Sequence, residues 1–186
     1  MIFNPFRRPQ REVQSIASLY GTIVAQARLP SFYHRYGVPD TVDGRFEIVV
    51  LHTVIVLHRL KTGSLRDLGQ GIFDRFCSDM DANLRELGVG DLAVPRKMRR
   101  LGEAFYGRQS VYEDALAASD QNLLITALAR NVFGARDSAA NAERLGDYVR
   151  ETVYRLAAQD DAELHQGNIG FPSPESVPAA KRAKEQ

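Results

Sequence analysis

The eight prolines stand at positions 5, 9, 30, 39, 95, 172, 174 and 178, so Pro95 alone interrupts the long interior between Pro39 and Pro172. Proline inside a helix removes a hydrogen bond and clashes with the preceding turn. A proline-poor interior punctuated by single glycines therefore suits successive helices. No Asn-Gly or Asp-Gly pair sits between two alternating runs; Asp43-Gly44 comes nearest, and its upstream flank lacks a strand pattern. The expectation is an all-α fold, a compact multi-helix domain of about six to seven helices with a flexible C-terminal tail. A chain of 186 residues suits one core of this kind.

Apolar spacing locates the helices. Val13, Ile16, Ala17, Tyr20, Ile23, Val24 and Ala27 recur at three- and four-residue steps and predict a helix over 12–28, closed by Leu29-Pro30. A short aromatic stretch, 31–36, and a turn at Gly37-Val-Pro-Asp-Thr lead to a second helix over 43–61, which Asp40, Thr41 or Asp43 could cap. Phe46 to Leu57 is rich in Val and Ile, as strands are, but its apolar residues fill both faces over twelve positions. Strands usually run about 5 or 6 residues, so a helix buried on most sides is expected. A third helix over 65–87 carries Leu65, Leu68, Ile72, Phe76, Met80, Leu84 and Leu87, and Gly88 is placed to stop it. Pro95 opens the next, to about 118 with a bend near Gly107, and two more follow at about 119–133 and 138–158. After Gln166 the composition turns to Gly, Pro and Ser over 167–178 and then to Lys181-Arg-Ala-Lys-Glu-Gln, where little could be buried. The resulting organisation is a flexible basic and aromatic arm at 1–11, a helical domain at 12–166 and a disordered tail at 167–186.

Bulk properties narrow the function. A formal charge of +1 argues against a dedicated DNA binder. Cys77 stands alone, which excludes an intrachain disulfide and a cysteine-rich zinc site, and is expected to pack in the core. The longest apolar run, Ile48 to Leu57, falls short of the roughly 20 residues a bilayer span needs. With no secretory-type apolar run in the first residues, the expected location is the cytoplasm.

Candidate chemistry is sparse. His34, His52, His58 and His165 do not form an i, i+4 metal pair; Glu47 and His58 share a helical face beside Lys61, and hydrogen-bonded faces are a simpler reading than a metal or acid–base site. Gly69-Gln-Gly71 lacks the spacing of a phosphate loop. No catalytic residue, metal or cofactor is therefore assigned, and the chain is expected to bind rather than catalyse. Asp67, Asp74 and Asp81 repeat every seven residues on one helical stripe, about 10 Å apart, too far for one metal ion. They form either a solvated face or a docking strip for a basic partner. Arg96, Lys97, Arg99 and Arg100 crowd a helix start, where cations oppose the helix dipole by a few tenths of a kcal/mol each. They read either as a charged surface or as a patch for an anion: ribosomal RNA, anionic lipid or an acidic partner. Ile2, Phe3 and Phe6 beside Arg7, Arg8 and Arg11 form a second candidate for a membrane surface.

Gly37-Val-Pro-Asp-Thr-Val-Asp-Gly-Arg-Phe-Glu47, Phe73-Asp-Arg-Phe-Cys-Ser-Asp-Met-Asp81, Leu84-Arg-Glu-Leu-Gly-Val-Gly-Asp-Leu92 and Val94-Pro-Arg-Lys-Met98 with Glu103-Ala-Phe-Tyr-Gly-Arg108 together resemble the ubiquinol-cytochrome c chaperone family. The resemblance covers roughly residues 12–160. It implies an all-helical, non-enzymatic assembly factor for ubiquinol-cytochrome c reductase, with cytochrome b as client, a small helical partner and a site near the ribosomal exit. It also implies a shorter, bacterial form without a mitochondrial targeting segment, in the cytoplasm or peripheral at the inner membrane. A ribosome- or RNA-binding module using residues 96–100 is the alternative.

Overall fold

The computed structural model describes residues 8–118, 120–134 and 138–177. These hold eight α-helices and no strand: α1 (Gln10–Ala27), α2 (Pro30–His34), α3 (Val42–Leu60), α4 (Arg66–Glu86), α5 (Val94–Ala117), α6 (Gln121–Asn131), α7 (Ala139–Ala158) and α8 (Asp161–His165). The all-α expectation holds. The arm residues Ile2, Phe3, Phe6 and Arg7 lie outside the described residues.

α3 is the central element. It packs against α1, α4, α5 and α7, which explains why its apolar residues occupy every side. Val50, Leu51, Val54 and Val56 are all buried, although they point in different directions around the helix. Thr41 caps it, its side chain accepting from the Gly44 amide at 3.1 Å. α6 lies against α5 and α7, and α8 against α1.

The buried stripe of α1 is Ser15, Ile16, Leu19, Tyr20, Ile23 and Ala27. Val13 and Ala17, expected on that stripe, face solvent. Leu19 is buried on the opposite side from them, and α1 packs on both α3 and α4. Where α1 crosses α4, a Cβ on Gly71 would come within 2.2 Å of Ile16 Cδ1. The Gly69-Gln-Gly71 segment thus serves close helix packing, consistent with its failure to match a phosphate loop.

α4 ends at Gly88 as expected. Gly88 has φ +78°, its amide donates to the Arg85 carbonyl and the Val89 amide donates to that of Leu84. This is the two-bond closure that a left-handed residue makes possible at a helix C-terminus. α5 then runs as one continuous helix from Val94 through Gly107 to Ala117.

Three local departures concern short or proline-rich segments. Residues 30–34 form α2, with Pro30 in the first turn. Residues 161–165 form α8, capped by Asp160, which accepts from the Ala162 amide. The described part of the expected tail, residues 167–177, packs on the domain. Ser18 donates to the Gly167 carbonyl at 2.9 Å, Gln26 to that of Pro172 at 3.0 Å and Tyr36 to that of Pro174 at 2.8 Å. Ile169, Phe171 and Val177 rest against the core. The segment is held mainly through its backbone carbonyls, so its poor apolar content is no obstacle.

Candidate functional site

The two charged features singled out above lie on consecutive helices, α4 and α5, which pack against each other and are joined by residues 87–93. α4 buries Leu68, Ile72 and Phe76. At 100° per residue, Asp67, Asp74 and Asp81 fall on the opposite side. Asp67 and Asp74 are exposed and Asp81 is half-buried.

The acidic stripe is largely matched within the chain. Asp74 accepts from Gln70 at 2.8 Å and lies 3.6 Å from the Arg8 guanidinium. Asp81 accepts from Arg85 Nε at 2.7 Å, and Arg85 reaches on to Asp91. Asp67 carries no ion pair among the described residues. Pairs this exposed contribute under about 1 kcal/mol each, so a competing cation could replace them.

The basic cluster differs. Arg96, Lys97, Arg99 and Arg100 are all exposed, and none has an ion pair or side-chain hydrogen bond among the described residues. α5 buries Val94, Phe105, Tyr112 and Ala115. Arg96, Arg99 and Arg100 therefore span about 100° on its far side, with Lys97 on the flank. The first turn of α5 has neither an acidic residue nor a capping side chain. At the adjoining turn, Leu87 is 72% and Leu92 99% exposed. Spacing alone gave no hint of these two leucines, because Leu87 continues the apolar register of α4 and Leu92 lies in a loop.

The histidines do not converge. His34 and His165 are exposed; His58 lies 3.3 Å from the Lys61 ammonium, which itself approaches Glu113 at 3.9 Å. Burial and the Lys61 charge push the His58 pKa down. Glu47 does not join His58. It is buried and held by Arg108 of α5, whose Nε and Nη2 donate to its two carboxylate oxygens. Arg108 also donates to the Ala104 carbonyl at 3.1 Å, and the bond to Glu47 raises its pKa. Among the described residues no group of three or more His, Cys, Asp or Glu side chains could hold a metal ion.

His52 is fully buried. Its Nδ1 lies 2.8 Å from the Ile48 carbonyl, which can only accept, so Nδ1 carries the proton and Nε2 accepts from the Tyr148 hydroxyl at 2.9 Å. Gln26 in turn donates to Tyr148 at 3.0 Å, as well as to Pro172. Phe32 and Phe171 pack on the imidazole with ring centroids 5.1 and 5.6 Å away. This network ties α1, α3, α7 and the C-terminal segment together. Its geometry is that of a satisfied core histidine.

Comparison with known proteins places these features in context. The model of a family described as ubiquinol-cytochrome C chaperone matches residues 34–171. The chain is 26% identical over 149 residues to "Ubiquinol-cytochrome-c reductase complex assembly factor 1" of Xenopus laevis, covering 78% of this chain and 74% of that protein. It is 28% identical over 151 residues to "Protein CBP3, mitochondrial" of Saccharomyces cerevisiae, covering 77% of this chain but 44% of the yeast protein. The crystal structure of the Cbp3 homolog from Brucella abortus superposes with a TM-score of 0.84 at 38% identity, over 91% of this chain and 94% of that one.

Proposed function

Because the chain belongs to the ubiquinol-cytochrome c chaperone family, a family of assembly chaperones for that reductase, we propose that it binds newly made cytochrome b and stabilises it until the complex assembles. The observation that carries the reading is the family match across residues 34–171, on a fold shared with the Brucella abortus Cbp3 homolog. No helix of the described residues is long and apolar enough to cross a membrane. The proposal assigns binding, without a bond-making step, to a chain whose charged surfaces lie on α4 and α5.

A polytopic membrane client presents apolar helices and, on the cytoplasmic side, loops enriched in Lys and Arg. The stripe of Asp67, Asp74 and Asp81 is the surface we assign to such loops. Its members are free or held by weak exposed pairs, so client cations can take them over. A ribosome contact and a small helical partner are further proposals that follow from family membership.

Deleting the gene and measuring cytochrome b and assembled reductase in membranes tests the assignment. Both should fall sharply and recover when the gene is restored; normal levels of both would remove the reading. Reversing the stripe with D67K, D74K and D81K together is expected to weaken capture of cytochrome b at least several-fold while the helical content stays unchanged. Undiminished co-purification would move the client surface elsewhere on the domain.

A further inference from the structure

We infer that the turn joining α4 to α5 docks on an anionic phospholipid surface, with Leu87 and Leu92 entering the interface and Arg96, Lys97, Arg99 and Arg100 meeting the headgroups. The inference does not rest on the cytochrome b reading: a protein with no part in reductase assembly could carry the same patch.

Single exposed leucines are ordinary on protein surfaces. The arrangement here is less ordinary, because two of the most exposed large apolar side chains among the described residues flank one short turn beside the chain's densest cationic cluster. Leu92 is 99% exposed and follows Asp91, which Arg85 already engages. Nothing in the fold needs Leu92: Val94 is the neighbouring residue that enters the interior. The four cations have no ion-pair partners among the described residues, whereas the acids of the adjoining α4 stripe largely do. From Arg85 through Glu103 the chain carries five cations and three carboxylates, Glu86, Asp91 and Glu103, in a molecule whose total charge is +1. Apolar side chains at a tip with cations on the flanking helix match the layering of a bilayer surface, hydrocarbon below and phosphate above.

Nucleic acid is the competing anion. Proteins that grip single-stranded RNA commonly stack bases on aromatic rings, yet no aromatic residue occurs between Phe76 and Phe105, and the exposed Tyr106 stands about 10 Å along α5 from Arg99. Leucines projecting into solvent have no role on a phosphate backbone. The patch therefore fits lipid better than RNA.

The test uses the full chain and vesicles of phosphatidylcholine with or without phosphatidylglycerol. Binding is expected only with the anionic lipid and should weaken as salt shortens the screening length. A cation near an anionic leaflet strengthens attachment about fivefold, so replacing all four with Gln should cost several hundredfold, on the order of 600 if the four act independently. L87S with L92S should cost about tenfold at unchanged charge. The sequence contains no tryptophan, so L92W supplies a single tryptophan that can be excited apart from the tyrosines in an otherwise intact domain. Its emission should shift to the blue on anionic vesicles and stay put on neutral ones. An unshifted L92W, or equal binding to neutral vesicles, would overturn the inference. So would sedimentation with ribosomes that depends on the four cations, ignores L87S and L92S, and has no counterpart on vesicles.

Discussion

Arg108→Ala is expected to lower the stability of the domain by about 3–5 kcal/mol, the usual cost of leaving one partner of a buried ion pair without the other. The Glu47 side chain is 9% exposed and that of Arg108 23% exposed, so water cannot easily replace the guanidinium. The arginine also spans α3 and α5 and bonds the Ala104 carbonyl, and its truncation loosens that contact. Since a domain of this type is held by about 5–15 kcal/mol in total, the substitution should bring it close to the unfolding threshold. Urea titration followed by circular dichroism measures the loss. Arg108→Lys keeps the charge but not the two-pronged geometry and should fall in between. Arg108→Met with Glu47→Leu should recover most of the deficit, because an apolar pair removes the stranded carboxylate. A single-substitution loss below about 1 kcal/mol would mean that the pair behaves as a surface pair.

Acid should weaken the fold through His52. Burial pushes its pKa down from 6.5 to about 4, so between those values the unfolded chain binds a proton that the folded one refuses. Its stabilising contribution is complete above pH 6.5 and is lost as pH falls towards 4. At 1.36 kcal/mol per pKa unit the total is about 3 kcal/mol. Denaturant titrations across that range should show the decline, and H52Q should flatten it by that amount. Equal pH dependence in the two proteins would show that the imidazole does not govern it. Protonation also forces Nε2 to donate where it now accepts from Tyr148, so the hydroxyl, which already accepts a hydrogen bond from Gln26, must turn its own proton elsewhere. The strain therefore reaches the segment that Gln26 holds at Pro172.

The parts of this fold that were legible in the sequence are those with more than two turns of periodic burial. α3 was recognisable as a central helix because apolar residues on every side leave no solvent face. The stop at Gly88 was legible because a residue at positive φ closes a helix by local geometry. α2 was not, since five residues give no period to measure. α8 was missed although Asp160 with Glu163 three residues on is a capping pattern. The seating of residues 167–177 is not legible in the sequence, because their composition is that of a loop while their anchors, Ser18, Gln26 and Tyr36, lie more than a hundred residues earlier. The charged candidates were visible as types and positions. Asp81 and Arg85 stand four apart on one helix, a pairing that spacing allows; the match of Glu47 to Arg108 rather than to His58 joins two helices, and spacing along one helix cannot supply it.

The seating of residues 167–177 on α1 and α2 also bears on how the chain is made. α1 receives its covering segment only after about 140 further residues have been synthesised, so while the ribosome is still reading α7 one side of the first helix stands open. Ser15 and Ser18 cannot find their carbonyl partners at 165 and 167 until the helices between them are in place. Contacts from residues 165–172 thus close over a helix synthesised well before them. Until then, a protein assigned to shelter another nascent chain has an unprotected flank of its own.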